Sequence, residues 1–275
     1  WTGPTYMART IDGGATWEAD KKIFDTGSND QTIGNVIEVL PSGTVINFFT
    51  HLSTLGWGGV KLGLIKSNDK GATFGPVNYV SQMVVTTTGT LTPDAKEPVR
   101  DANILFDSAV DPESGNLYVV WQDSRARNID QVFFSMSTNA GNTWSTPVKI
   151  NKTPTSPNKL RNQAFIPSIA VGSNGKVHVT YYDFRNDTND GREMTDFWAI
   201  SCNITAGANC RTAGGWGNEL RLTNQSFDML DAPVARGHFL GDYMGLVKQG
   251  VSGVRAVYGI AVGPNENEMV TSLIP

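Results

Sequence analysis

The sequence predicts an all-β fold, a β-propeller of four-stranded antiparallel blades. Three observations carry that prediction. An eight-residue turn sequence occurs three times, a strand–glycine turn–strand element repeats in phase with it, and no helical period separates them.

The turn sequence first appears as Thr10-Ile11-Asp12-Gly13-Gly14-Ala15-Thr16-Trp17. It returns as Ser67-Asn68-Asp69-Lys70-Gly71-Ala72-Thr73-Phe74, and again as Ser137-Thr138-Asn139-Ala140-Gly141-Asn142-Thr143-Trp144. A worn fourth copy starts at Ser201-Cys202-Asn203 and resumes near Trp216. Apolar stretches that read as strands (Leu62 to Ile65, Val132 to Met136, Phe197 to Ile200) precede the later copies. The second element spans Glu38 to Phe49, Ala109 to Trp121 and Ala170 to Tyr181. Its turn glycines, Gly43, Gly115 and Gly175, lie 72 and 60 residues apart. Four strands per unit of this length is the pattern of a propeller blade. Units are expected at Trp1 to Asp25, Asn35 to Gln82, Ile104 to Asn151 and Phe165 to Thr223, with a fifth from Gly241 onward.

Composition narrows the function classes. Only 17% of the 275 residues are charged and 29 are glycine, which excludes a coiled coil or helical array. Seven Trp and twelve Phe fill a core, which excludes disorder. A net charge of −4 argues against nucleic acid or an anionic membrane surface as the main partner. No apolar run reaches the length of a membrane span. The start at Trp1, without Met or a signal peptide, reads as a processed chain or one cut from a longer protein. Three scattered histidines and two cysteines make no metal site, and no cofactor is expected. Cys202 and Cys210 read as a small-loop disulfide, which implies an oxidising compartment. Sequons start at Asn151, Asn186, Asn203 and Asn224.

The eight-residue turn resembles the Asp-box, or BNR repeat, of sialidases and related glycoside hydrolases. The Asp carboxylate accepts turn amides, glycine supplies a positive φ, and the aromatic residue packs between blades. The box residues are therefore read as structural: Thr10, Asp12, Gly14, Thr16 and Trp17; Ser67, Asp69, Gly71, Thr73 and Phe74; Ser137, Asn139, Gly141, Thr143 and Trp144. Gly34-Asn35, Trp121 to Arg125, Tyr181 to Arg185 and Arg236 to Tyr243 resemble the secreted sialidase-like BNR proteins of bacteria. The resemblance covers nearly the whole chain. It implies one propeller domain over residues 1–275 with five or six blades, the opening strands of the first blade being expected either from sequence before Trp1 or from the C-terminal end. It also implies a secreted, periplasmic or cell-surface protein acting on carbohydrate.

Strand order converts the repeat into a map. Glycine turns and Asp-boxes share one face, and the chemically rich loops emerge on the other. Arg100, Arg125, Arg161, Arg185 and Arg236 lie in those loops, with Asp101, Asp123, Asp183 and Asp242. Arginine forks suit a carboxylated ligand, so an anionic glycan is the expected partner and these five arginines its binding residues. Asp123, Asp183 and Asp242 are the candidate acids, and Tyr243 beside Asp242 resembles the tyrosine nucleophile and acidic partner of sialidases. A second reading stands beside this one: Asp123-x-Arg125 and Asp183-x-Arg185 are ion pairs that fix their own loops. His51 and His238 fall on or near the loop face, and His178 lies inside a strand. The Arg-Ile-Pro motif of sialidases is absent, because Phe165-Ile166-Pro167 lacks the arginine. Two function classes follow, a sialidase-like glycoside hydrolase and a non-catalytic propeller that binds a glycan or a protein.

Overall fold

Strand-forming apolar runs punctuated by glycine turns give an all-β chain in the computed structural model, which describes residues 2–53, 59–86, 88–172, 174–250 and 253–275. Five antiparallel sheets follow one another along the sequence. Strands β1 (Thr5–Met7) and β2 (Lys21–Phe24) form the first. Strands β3 (Asp30–Val39), β4 (Val45–Ser53), β5 (Val60–Ser67) and β6 (Asn78–Met83) form the second, in that order. The third holds β7 (Phe106–Val110), β8 (Leu117–Asp123), β9 (Gln131–Ser137) and β10 (Val148–Lys149). The fourth holds β11 (Ala164–Val171), β12 (Lys176–Asp183), β13 (Met194–Asn203) and β14 (Gly217–Arg221), with β15 (Phe227–Asp228) also on β13. The fifth is β16 (Gly245–Gln249), β17 (Gly253–Gly263) and β18 (Glu266–Ile274). No α-helix occurs among the described residues.

Each sheet buries its faces against its neighbours. Every residue of β8 and β9 is buried, because both have a sheet on either side. Leu117, Val119 and Trp121 pack with Phe48 and Leu64 of the second sheet. The alternate residues Tyr118 and Val120 pack with Val179 and Tyr181 of the fourth. Phe165, Tyr182 and Phe197 then meet Tyr258 of the fifth. The leading strands β3, β7, β11 and β16 neighbour one another in turn, as in successive propeller blades. Polar side chains join them: Ser108 Oγ donates to Glu38 Oε1 at 2.9 Å and Ile169 N to Asp107 Oδ2 at 2.9 Å. Ser168 Oγ donates to the Met244 carbonyl, also at 2.9 Å.

The three repeated turns share one bonding scheme. In the second, Ser67 Oγ donates to Asp69 Oδ1 at 2.7 Å and accepts Gly71 N at 2.7 Å. Thr73 donates from N and Oγ1 to the two Asp69 oxygens, at 2.8 and 2.6 Å. Thr10, Asp12, Gly14 and Thr16 repeat this arrangement. In the third copy Asn139 Oδ1 replaces the carboxylate acceptor, and Asn139 Nδ2 donates to Thr143 Oγ1 at 2.9 Å. Gly14, Gly71 and Gly141 hold φ of 96°, 80° and 74°, where other residues are strained.

The turns also latch neighbouring sheets. Arg9 Nη1 donates to the Lys70 carbonyl at 2.7 Å, and Lys66 Nζ to the Ala140 carbonyl at 3.2 Å. Trp144 packs edge-on against Phe48 of the preceding sheet, with centroids 5.9 Å apart. Trp17 departs from the expected packing: it is 64% exposed. Cys202 and Cys210 are bonded, with Cα atoms 5.8 Å apart, and Trp216 Nε1 donates to the Cys210 carbonyl at 2.9 Å.

Candidate functional site

The beginnings of the leading strands surround a cavity of about 220 Å³. Its walls include Asn35 of β3, Asp107 of β7, Ser168 of β11 and Met244 just before β16. It opens into a wider cleft of about 480 Å³ bordered by Thr88, Arg100, Asn103 and Arg236. Asp101, Asp242 and Tyr243 line both parts.

Backbone geometry sets the mouth of this cleft. Gly237, at φ 126°, lies so close to the 98–100 segment that a Cβ would stand 2.7 Å from Arg100 N. Only glycine allows that approach, which lets His238 N donate to the Pro98 carbonyl at 2.9 Å and Arg100 N to the His238 carbonyl at 3.0 Å. Arg100 is thereby set against Asp242, with Nε to Oδ1 at 2.9 Å and Nη2 to Oδ2 at 2.7 Å. The Phe239 ring supports the guanidinium at 4.6 Å. Arg236, itself at φ 64°, is exposed and makes no side-chain hydrogen bond or ion pair among the described residues.

The carboxyls of the cleft differ in their partners. Asp101 accepts from Thr90 N at 2.7 Å, Gln122 Nε2 at 2.6 Å and Asn103 N at 3.2 Å. Among the described residues Asp107 accepts two backbone amides, Ser108 N and Ile169 N, each at 2.9 Å. Burial pushes the Asp107 carboxyl up to about 6, against the pull of those amides. Glu38, deeper along β3, is pushed up to about 7 by burial, with Asp107 adding like-charge repulsion.

Several expected site residues lie elsewhere. Asp123 is fully buried and gripped by Arg125, and so is not presented to a ligand. Asp183 is fully buried as well, bonded by Arg185 Nε at 2.6 Å and Thr153 Oγ1 at 2.7 Å. Arg185 spends its remaining donors on Glu219, at 2.7 and 2.9 Å, and stacks on Trp198 at 3.8 Å. Arg161 bonds Asp187 at 2.8 Å. The expected ring of five arginines is thus two at the cleft, Arg100 and Arg236, because the other three are paired with carboxylates outside it. Tyr243 is 69% exposed and its hydroxyl has no partner among the described residues. Asp242 faces Arg100 instead, so the two do not form a tyrosine–acid couple. His51 bridges Tyr79 and Asp30 at 2.7 and 3.0 Å, away from the cleft, while His178 and His238 are buried.

Asp107 and Glu38 escaped the sequence reading. The available signal was a carboxylate set among apolar residues of a leading strand, Phe106-Asp107-Ser108-Ala109-Val110 and Val36-Ile37-Glu38-Val39.

No family profile matches this sequence, and no curated protein matches it. Among solved structures, a Hadza microbial sialidase aligns at 15% identity with a TM-score of 0.49, over 88% of this chain and 44% of that one. The leech intramolecular trans-sialidase aligns at 15% identity and TM-score 0.50, over 98% of this chain. An α-L-arabinofuranosidase from Lactobacillus brevis aligns at 13% identity and TM-score 0.47, over 93% of this chain and 78% of that one. The chain therefore spans under half the length of the two sialidases, 44% and 36%. The likeness to the leech enzyme is one of fold.

Proposed function

We propose that residues 1–275 form one sialidase-like propeller domain that binds and hydrolyses an anionic glycan in the cleft at the ends of its leading strands. The observation that carries this reading is Arg236, a guanidinium with no partner among the described residues at the mouth of a cleft that also holds carboxyls. In a protein of net charge −4, a cation held in a strained backbone and left without a partner fits an incoming carboxylate. The disulfide supports a secreted, periplasmic or cell-surface location.

A second reading draws on Tyr243 standing apart from Asp242: the same cleft binds a glycan without cleaving it. One panel separates the two. Sialosides, uronides and neutral aryl glycosides are offered to the protein, and both turnover and calorimetric binding are measured. Turnover of an acidic glycoside, reduced by Arg236→Ala while a neutral one is unaffected, supports the hydrolase. Binding without turnover supports the module. A panel that neither binds nor turns over removes both.

A further inference from the structure

We propose that Asp107 is the proton donor for glycosidic cleavage in this cleft, an inference that rests on the hydrolase reading above. Three carboxyls line the cleft, and two are already committed. Asp242 is neutralised by two parallel bonds from Arg100. Asp101 accepts three donors and is buried. Asp107 receives one backbone amide on each oxygen and no cation, and it lines the inner cavity. A cavity of about 220 Å³ has room for several waters, the scale of a single sugar ring.

A second carboxyl lies close by. Ser108, next in sequence to Asp107, donates its hydroxyl to Glu38 and its backbone N to Asp107, and the two carboxyls are near enough for Asp107 to repel charge on Glu38. Neither acid has a counter-ion in contact, and burial holds the Asp107 proton to about pH 6. That leaves a protonated fraction below neutrality, where a general acid can work. In the step itself, the Asp107 O–H bond breaks and its proton goes to the glycosidic oxygen. The bond from the anomeric carbon to that oxygen breaks, and its electron pair stays with the departing alcohol. Water then adds to the anomeric carbon and gives a proton to the Asp107 carboxylate, restoring the acid.

Asp107 also joins β7 to β11 through Ile169 N, so the test must separate chemistry from folding. The sugar that the wild type turns over is supplied as a dinitrophenyl glycoside and as a methyl glycoside. Only the methyl alcohol needs protonation to leave. Asp107→Asn keeps an acceptor oxygen, and its melting temperature and circular dichroism are recorded alongside. The expected loss is about a hundred- to ten-thousand-fold on the methyl glycoside and under about tenfold on the dinitrophenyl glycoside. Equal losses on both, or no loss, overturn the proposal while leaving the hydrolase reading in place. A wild type that binds saccharides but cleaves none removes the hydrolase reading and this proposal with it. Should Asp107→Asn fail to fold, carbon-13 NMR of wild-type Asp carboxyls decides. The Asp107 resonance, assigned through the Ser108 amide, titrates near pH 6, and a midpoint below pH 4.5 overturns the assignment.

Discussion

Arg125 grips Asp123 through two parallel bonds, Nε to Oδ1 at 2.8 Å and Nη2 to Oδ2 at 2.7 Å. Trp121 Nε1, Val84 N and Arg125 N complete the carboxylate shell at 2.8, 3.1 and 2.8 Å. With five donors on a buried carboxylate, this pair fixes the loop after β8. Arg125→Ala strands a buried carboxylate. It is expected to destabilise the fold by about 2–4 kcal/mol, below the full buried-pair value because Arg125 is 30% exposed. Denaturant unfolding measures the loss, and glycan binding in the cleft should not change. A binding defect with unchanged stability would return Arg125 to the ligand site.

The repeated turns make a sharper comparison. Asn139 supports the same turn as Asp12 and Asp69, with its amide donating where a carboxylate would accept. Asp69→Asn is therefore expected to lower the melting temperature less than Asp69→Ala, which removes the acceptor of Thr73 N altogether. The Asp12 carboxyl is held down to about 2, chiefly by Thr16. Its stabilisation is present above the ordinary carboxylate range and is lost as pH falls through about 2. Equal effects of Asn and Ala at position 69 would assign the role to turn shape alone.

The turns were legible in the sequence because their bonds join residues two and four apart. The sheets were legible for the same reason, since their glycine turns are local. The cleft was not. Glu38 and Ser108 meet across 70 residues, and Asp107 meets Ile169 across 62. Asp-x-Arg was ambiguous in kind: a fork two residues from a carboxylate can fold onto it or reach outward. Burial decides, and burial belongs to the assembled sheets, which leave Asp123 and Asp183 no exposed side-chain surface.

The disulfide closes a short loop, with a sequence separation of 8, beneath Trp216. Replacing Cys202 and Cys210 together by Ala should cost about 2–3 kcal/mol through the freed unfolded chain. Trp216 is buried and bonded to the Cys210 carbonyl, so its emission reports the change. A red shift with lowered stability is expected. Unchanged emission and unfolding midpoint would mean that the loop holds without the bond.

His178 is fully buried in β12, and neither ring nitrogen has a partner among the described residues. Burial pushes its pKa down to about 4, with Lys176 adding repulsion. The unfolded chain takes up this proton near pH 6.5, so it binds more protons than the native state between pH 6.5 and about 4. Stability from this residue is whole above pH 6.5 and falls as pH drops towards 4, by up to about 3 kcal/mol at 1.36 kcal/mol per pH unit. His178→Phe should flatten that acid limb. An unfolding profile with the same slope in both proteins would place the acid sensitivity elsewhere.

Glu38 has the opposite sign. Its folded pKa of about 7 stands above the ordinary 4.5, because burial and Asp107 both penalise the carboxylate. Between those values the native state holds the extra proton, so stability falls as pH rises from about 4.5 to 7 and stays low above. The difference amounts to at most about 3 kcal/mol, reduced by whatever water reaches the side chain. Glu38→Gln keeps an acceptor for Ser108 Oγ and removes the ionisation. The variant should match the wild type near pH 4.5 and exceed it at pH 8, by chemical denaturation at both values. Asp107, raised to about 6, adds a loss of the same sign that the variant retains, so its profile should be shallower without becoming flat. Equal stabilities at pH 8 would show that Glu38 is hydrated there, and that the space beneath the cavity is wetter than its apolar neighbours imply.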